Sequence, residues 1–298
     1  MKSLKLAEKR YSVREYKHKN LSNELLQYLS NLLLEKPSIS NASSLEIRFV
    51  ENGFDLAPQL ETVSGYYGKM IVAPHYYAIF SHPDDFSLNM AGYVGEWFIL
   101  NALKKDIGSC WLEVRDSNQL KQILSIDTPK KAVALIAVGY AKKEFQGGEI
   151  YAASQNNSLS SLTDLGYPNI NPNHSKGPVS SRKSITELAF LNEWGNIPEI
   201  EELEIRGFHE ALFYMRLAPS YGNRQPWYFV ICNDHIDLIM DHSDDLSPFI
   251  QGIDAGIAMF YFEVGLHDSG IRGSWHIDAL KSDYTLPDHH KLVGQYKF

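Results

Sequence analysis

The feature of this 298-residue chain that most constrains its fold is a pattern that occurs twice. His82-Pro83-Asp84-Asp85-Phe86-Ser87 returns as His242-Ser243-Asp244-Asp245-Leu246-Ser247, an offset of 160 residues that also carries Gly92 onto Gly252. Behind each hexapeptide runs a long apolar stretch punctuated by glycine, residues 90–103 in the first copy and 252–266 in the second. Each stretch leads to a glycine and a tryptophan, in Gly108-Ser109-Cys110-Trp111 and in Gly273-Ser274-Trp275. Self-similarity at one offset is the signature of a duplicated architecture. Both stretches are longer than a strand and apolar on nearly every face, so they read as buried helices, each stopped by glycine. Gly92 and Gly95 share one helical face, as do Gly252 and Gly256; absent side chains there allow close helix approach, and these glycines read as structural.

The remainder gives an α+β pattern. Residues 4–10 and 23–34 read as helices, the second capped by Ser22, and residues 201–217 as one helix ending near Pro219. Residues 44–50, 76–81, 132–139 and 227–232 are β-branched or aromatic and read as strands. Residues 146–181 are loaded with Gly, Ser, Asn and Pro and read as a linker. The expected organisation is therefore a first half at 1–145, a linker at 146–181 and a second half at 182–298, each half with a mainly antiparallel sheet and helices.

Apolar residues make up 44% of the chain and charged residues 21%, the balance of a folded soluble protein. A net charge of −8 argues against binding nucleic acid non-specifically. The N-terminal twenty residues go the other way, with seven cations against Glu8 and Glu15, which reads either as a solvated terminus or as a site for a small anion. Two cysteines, Cys110 and Cys232, cannot build a disulfide framework in a chain this long. The opening MKSLKLAEKRYSV has no apolar core of signal-peptide length. The expectation is a cytoplasmic protein with no membrane partner.

Three stretches carry polar chemistry. Arg10-Tyr11-Ser12-Val13-Arg14 reads as a charged surface turn or, since guanidinium forks match phosphate oxygens, as an anion clamp. Ala218-Pro219-Ser220-Tyr221-Gly222-Asn223-Arg224-Gln225-Pro226-Trp227 is a rigid polar turn between helix and strand, a plain connection or one able to hydrogen-bond a planar heterocycle; Trp227 reads as core. Asp106-Ile107-Gly108-Ser109-Cys110-Trp111-Leu112-Glu113 reads as a helix end followed by a backbone loop. With no histidine nearby and an apolar setting, Cys110 reads as a buried inert thiol rather than a nucleophile.

Together these stretches resemble the nitroreductase superfamily, in which Arg-Arg-Ser-x-Arg opens the chain and Ala-Pro-Ser-x-x-Asn-x-Gln-Pro-Trp follows the second helix. In that family Gly-Ser-Cys-Trp follows a central helix, and a strand ends in Gly-Tyr, here Gly139-Tyr140. Family members are usually homodimers with FMN at the interface; here both contributions lie in one chain, similar to a fused branch in which a monomer imitates the dimer. The resemblance implies that Arg10, Ser12 and Arg14 bind FMN phosphate, ribityl and pyrimidine oxygens, with Tyr11 in place of a basic residue. It implies that Pro219, Ser220, Tyr221 and Asn223 line the isoalloxazine and that Lys69 sits near flavin O2, with Tyr66 where an asparagine is common. Leu112 and Glu113 fall where a backbone N–H meets flavin N5, and Arg182 and Lys183 resemble a basic pair that reaches the phosphate.

The implied activity is an FMN-dependent oxidoreductase reducing nitroaromatics or quinones with NAD(P)H by ping-pong hydride transfer. No protein residue is expected to be catalytic and no metal is expected. The alternative is a flavin-binding or sensing protein with little turnover; a third reading is a structural fold without FMN. One flavin per monomeric chain is expected. The first half keeps only Pro37, Ser38 and Asn41 of the polar turn, and the second has only Arg206, in the acidic stretch 200–207, where an arginine clamp belongs.

Overall fold

The computed structural model describes residues 3–37, 45–142, 181–243 and 246–298. The expected linker at 146–181, apart from Ser181, lies outside these residues, as do Ser38, Asn41, Asp244 and Asp245. The first half runs α1 (Ser3–Lys9), α2 (Asn23–Leu34), β1 (Glu46–Val50), α3 (Gly53–Leu60), β2 (Ser64–Gly65), β3 (His75–Ser81), α4 (Asp85–Leu103), β4 (Gly108–Val114), α5 (Ser117–Ile123) and β5 (Lys131–Gly139). The second runs α6 (Ile185–Leu188), β6 (Ala189–Leu191), α7 (Ile200–Ile205), α8 (His209–Met215), a 3-10 turn (Tyr221–Asn223), β7 (Trp227–Ile231), β8 (His235–Asp241), α9 (Pro248–Asp268), β9 (Ser274–His276) and β10 (His290–Lys297).

Each half builds a five-stranded sheet, ordered β1-β3-β5-β4-β2 in one and β6-β7-β8-β10-β9 in the other. All pairings are antiparallel except β6 with β7. The order β1-β3-β5-β4 is repeated as β7-β8-β10-β9, with α4 and α9 each leaving the second strand of its run. The fold is α+β, duplicated as the repeat implies. The extra strands, β2 and β6, sit on opposite ends of that common order.

The two apolar stretches are α4 and α9, packed against each other at the centre. Asp84 and Ser247 cap them by accepting N–H bonds from Ser87 and Ile250, the cap that a short polar side chain supplies. α9 has the length and apolarity of a membrane span, but 78% of that window is buried inside the protein. The glycine faces meet: a Cβ on Gly92 would strike the Ile253 backbone, and one on Gly256 would stand 2.6 Å from the Tyr93 nitrogen and closer still to the Asn89 carbonyl. Gly256→Ala would force two backbones apart, and a loss of about 1–3 kcal/mol is expected, read as a lowered thermal midpoint.

Three local expectations are corrected. Residues 201–217 form two helices, because Gly207 takes a left-handed φ of 79° and the Phe208 N–H reaches Leu203 O at 2.9 Å, closing a Schellman stop. The first central helix is stopped by Asp106 at φ 55°, not by glycine, whereas the second stops at Gly270, φ 85°, ahead of Gly273. Gly108 to Trp111 is no loop: it opens β4 and pairs along β5, with Gly108 opposite Gly139.

Candidate functional site

The N-terminal segment after α1 is extended and lies along the outer edge of β4. Ser12 bridges Ser109, and the Val13 N–H donates to Ser109 O at 2.8 Å. Farther along that edge, the Arg115 N–H donates to Val63 O at 2.8 Å, and β2 pairs with Glu113 and Val114. Backbone groups of alternate strand residues point to the same edge, so the amides of Ser109, Trp111, Glu113 and Arg115 face outward while that of Leu112 faces β5. Between the Ser12 bridge and β2 the edge of β4 is left open at Trp111, and a cavity of about 380 Å³ opens there. The expected backbone contact at Leu112 and Glu113 is thus refined: both line the cavity, but the outward amides belong to Trp111 and Glu113.

The cavity is built from both halves. The first supplies Arg10, Tyr11, Ser12, Arg14, Tyr66, Trp111, Leu112 and Glu113; the second supplies Arg182, Pro219, Ser220, Tyr221, Asn223 and the α9 residues Ile250, Ile253, Asp254 and Ile257. Eleven of the thirteen residues expected from sequence line it. Lys69 and Lys183 do not. Lys69 closes a tight turn with Tyr66, whose N–H donates to Lys69 O at 2.8 Å. The Lys183 ammonium donates to the Tyr228 hydroxyl at 3.0 Å and stands 4.2 Å from that ring's centroid. Adjacent residues of extended backbone point to opposite sides, so Arg182 turning inward sends Lys183 out.

The three arginines are not equivalent. Arg10 is nearly buried; its Nε lies 3.1 Å from Glu96 Oε1, and its Nη2 donates to Ser12 Oγ at 3.2 Å. Glu96, wholly buried on α4, also accepts from Trp111 Nε1 at 2.7 Å and from the Tyr261 hydroxyl at 3.2 Å. Arg10 is therefore already neutralised and orients the segment. Arg14 stacks its guanidinium 5.1 Å from the Tyr66 ring centroid, and its Nε is buried with no hydrogen-bond partner among the described residues. Arg182 donates to the carbonyls of Arg216 and Ala218 at 2.5 and 2.6 Å; no carboxylate pairs with it among the described residues. Burial, aided by the nearby Arg10 charge, pulls its pKa down to about 10, still a cation at neutral pH.

The polar turn folds tightly because Gly222, Asn223 and Gln225 all adopt positive φ, conformations that glycine and asparagine tolerate best. Ser220 Oγ accepts from the Gln225 N–H at 2.8 Å, and the Tyr221 N–H donates to both oxygens of Asp254, 3.2 and 3.1 Å away. Asp254 is buried at the cavity wall, and burial pushes its pKa up to about 8. The Tyr221 ring stacks on Tyr67 at 4.8 Å and 14°, with Tyr66 edge-on to both. Cys110 lines the wall, and burial raises its thiol pKa, the inert setting expected. Trp227 is wholly buried core, as read. Asp254 and Glu96 are the residues that motif reading missed, although a carboxylate inside an otherwise apolar helix was a visible signal, and Trp111 was read in a motif without a role in the site.

A family model described as "Putative TM nitroreductase" matches residues 3–266. The structure of a "putative nitroreductase" from Thermotoga maritima covers 100% of this chain and 94% of its own, with a TM-score of 0.57 at 15% identity, a likeness of fold. A nitroreductase family protein from Clostridium novyi covers 50% of this chain and 92% of its own, at 18% identity and a TM-score of 0.42. An FMN-dependent nitroreductase from Clostridium difficile covers 52% and 98%, at 19% identity and a TM-score of 0.41. No curated protein matches. On the match that spans nearly all of it, the chain belongs to this nitroreductase family.

Proposed function

We propose that the chain is an FMN-dependent oxidoreductase that reduces nitroaromatics or quinones with NAD(P)H. The observation that carries this reading is Arg14. A guanidinium held over an aromatic ring, with a buried Nε that no described residue satisfies, is placed for an acceptor-rich ligand. Arg182 adds a second cation with no carboxylate partner among the described residues, and Tyr221 and the open β4 edge add a flat wall and outward amides, a set that suits a phosphorylated flavin. When bound, FMN would supply the two-electron redox chemistry between NAD(P)H and the acceptor, for which ping-pong order is expected. Arg14 and Arg182 would hold its anionic and carbonyl groups, and Asn223 and Ser220 would orient it. The Asp254 carboxyl, kept protonated near neutral pH by burial, would have a proton to donate at the cavity wall.

A single flavin per chain follows from the same residues: in the counterpart region Arg206 is paired with Glu202 at 2.9 Å rather than directed at a ligand. The chain acts as a monomer in the cytoplasm, where Cys110 and Cys232 stay reduced. The test is the absorbance of purified protein followed by FMN titration. Loading with one FMN per chain is expected, and Arg14→Ala weakens it by about 1.5–3 kcal/mol, roughly 10- to 150-fold. Unchanged affinity in that variant would remove the assignment.

The tyrosine cluster supports a second reading, a flavin-binding or sensing protein, because Tyr66 and Tyr221 line the cavity and pack with Tyr67 into one aromatic group beside it. NAD(P)H added without oxygen separates the two. Rapid bleaching of the flavin and parallel initial-rate lines belong to the enzyme; a loaded flavin that NAD(P)H leaves oxidised belongs to the sensor.

A further inference from the structure

Away from the cavity, the β7–β8 hairpin brings together a thiol, an imidazole and a buried carboxylate. The Cys232 N–H donates to His235 O at 3.0 Å across the two-residue turn Asn233-Asp234, which sets Cys232 opposite His235. Asp237 lies two residues on, on the same face of β8 as His235. One ligating atom from each of the three lies within 4.8 Å of the others. We propose that this hairpin end is a zinc site, with Cys232 Sγ, His235 Nε2 and Asp237 Oδ1 as its protein ligands and the fourth position left to water.

The imidazole is oriented for the purpose. His235 Nδ1 stands 2.7 Å from Asp234 Oδ1, so in the metal-bound imidazole the proton would sit on Nδ1 and the Nε2 lone pair would face inward. Nε2 stands 3.4 Å from Asp237 Oδ1, the separation of two atoms that can share one ion. Ligands each about 2.0–2.1 Å from a tetrahedral ion stand about 3.3 Å apart, so this edge of the site is already set. The carboxylate–histidine pairing is the outer support common to metal-bound imidazoles. Asp237 has comparable support: Gln295 Nε2 donates to Oδ1 at 2.8 Å and the Tyr284 hydroxyl to Oδ2 at 2.5 Å.

The charge balance points the same way. Asp237 is wholly buried, and among the described residues no lysine or arginine pairs with it. The carboxylates of Asp234 and Asp283 add further negative charge beside Cys232 and Asp237. A divalent cation answers that potential and releases the thiol proton to solvent as the S–metal bond forms. A mixed sulfur, nitrogen and oxygen set favours Zn²⁺ over Mg²⁺ or Ca²⁺, which prefer oxygen alone. Cys232 and His235 are only half-buried, which leaves an entry path. The site would tie β7, β8, β10 and the Tyr284 segment together at an end of the second sheet that the cavity does not reach.

The test is titration of the purified full chain with Co²⁺, then displacement by Zn²⁺. A near-ultraviolet thiolate-to-cobalt band saturating at one equivalent is expected, with Zn²⁺ abolishing it and raising the thermal midpoint. Cys232→Ser removes the band and His235→Gln weakens binding at least tenfold, while both keep wild-type circular dichroism and FMN loading. Asp234→Asn, which touches no ligating atom, weakens Zn²⁺ by about 10–100-fold. The proposal is overturned if the wild type shows no saturable band, if Cys232→Ser keeps wild-type Zn²⁺ affinity, or if NMR finds His235 doubly protonated between its two aspartates while Zn²⁺ is in excess.

Discussion

Glu96→Ala is expected to be among the most destabilising substitutions in the chain, at about 3–5 kcal/mol, because it strands a buried guanidinium. Glu96 is the shared acceptor of Arg10, Trp111 Nε1 and the Tyr261 hydroxyl, one group from the N-terminal segment, one from β4 and one from α9. Glu96→Gln separates the contributions: its one amide oxygen can still accept from Trp111 Nε1, while the NH2 replaces the oxygen that faces Arg10 and the Tyr261 hydroxyl, so the charge that matches Arg10 is lost with the side-chain shape kept. Denaturant unfolding is expected to order the three as wild type above Gln above Ala. FMN affinity should fall as well, since an Arg10 released from Glu96 no longer fixes the segment that carries Ser12 and Arg14. A Gln variant within about 0.5 kcal/mol of wild type would show that the Arg10 charge is solvated after all.

Asp254→Asn is expected to act in the opposite direction and to stabilise the protein. The folded-state pKa of Asp254 is about 8, whereas an unfolded aspartate titrates near about 3.9. Between those values the folded chain holds a proton that the unfolded chain has released. Raising the pH therefore lowers stability across that window, and the loss levels off above it. Asparagine has no such dependence and can still accept from the Tyr221 N–H. The gain over wild type should be small near pH 4 and grow to about 2–4 kcal/mol by pH 8, several pKa units at about 1.4 kcal/mol each, discounted for water in the cavity. Thermal midpoints of both proteins, stripped of flavin and measured from pH 4 to 9, decide it. An offset that does not change with pH would mean that Asp254 is ionised throughout.

Both residues mark where sequence reading stops. The repeat, the two central helices and their glycine faces were legible because period and apolarity are properties of the chain itself. Arg10, Ser12, Arg14 and the Pro219–Asn223 turn were legible because short polar residues in fixed spacing have few uses. The pairing of Glu96 with Arg10 was not: nothing in an apolar helix says which distant cation its one interior carboxylate meets. The breaks at Gly207 and Asp106 escaped for a related reason, since a left-handed stop depends on backbone bonds that composition only permits. Lys183 was read with Arg182 as a pair, but extended backbone places them on opposite sides. Lys69 was carried by a resemblance whose turn is here occupied by Tyr66 and Tyr67. Cys232, His235 and Asp237 drew no attention as a group because only a hairpin register makes neighbours of them.

The core that includes α4 and α9 runs without interruption from Leu6 and Leu29 to Trp227, Met259 and Tyr296. Each half thus completes this part of its core only against the other, and a covalent link between such halves raises their effective concentration. Cutting the chain anywhere within 146–181 should then yield two pieces that co-elute and melt in a single transition. Either piece expressed by itself should be insoluble until the other is supplied. In that respect the molecule is a natural split-protein pair whose reassembly, reported by flavin colour, could be read by eye.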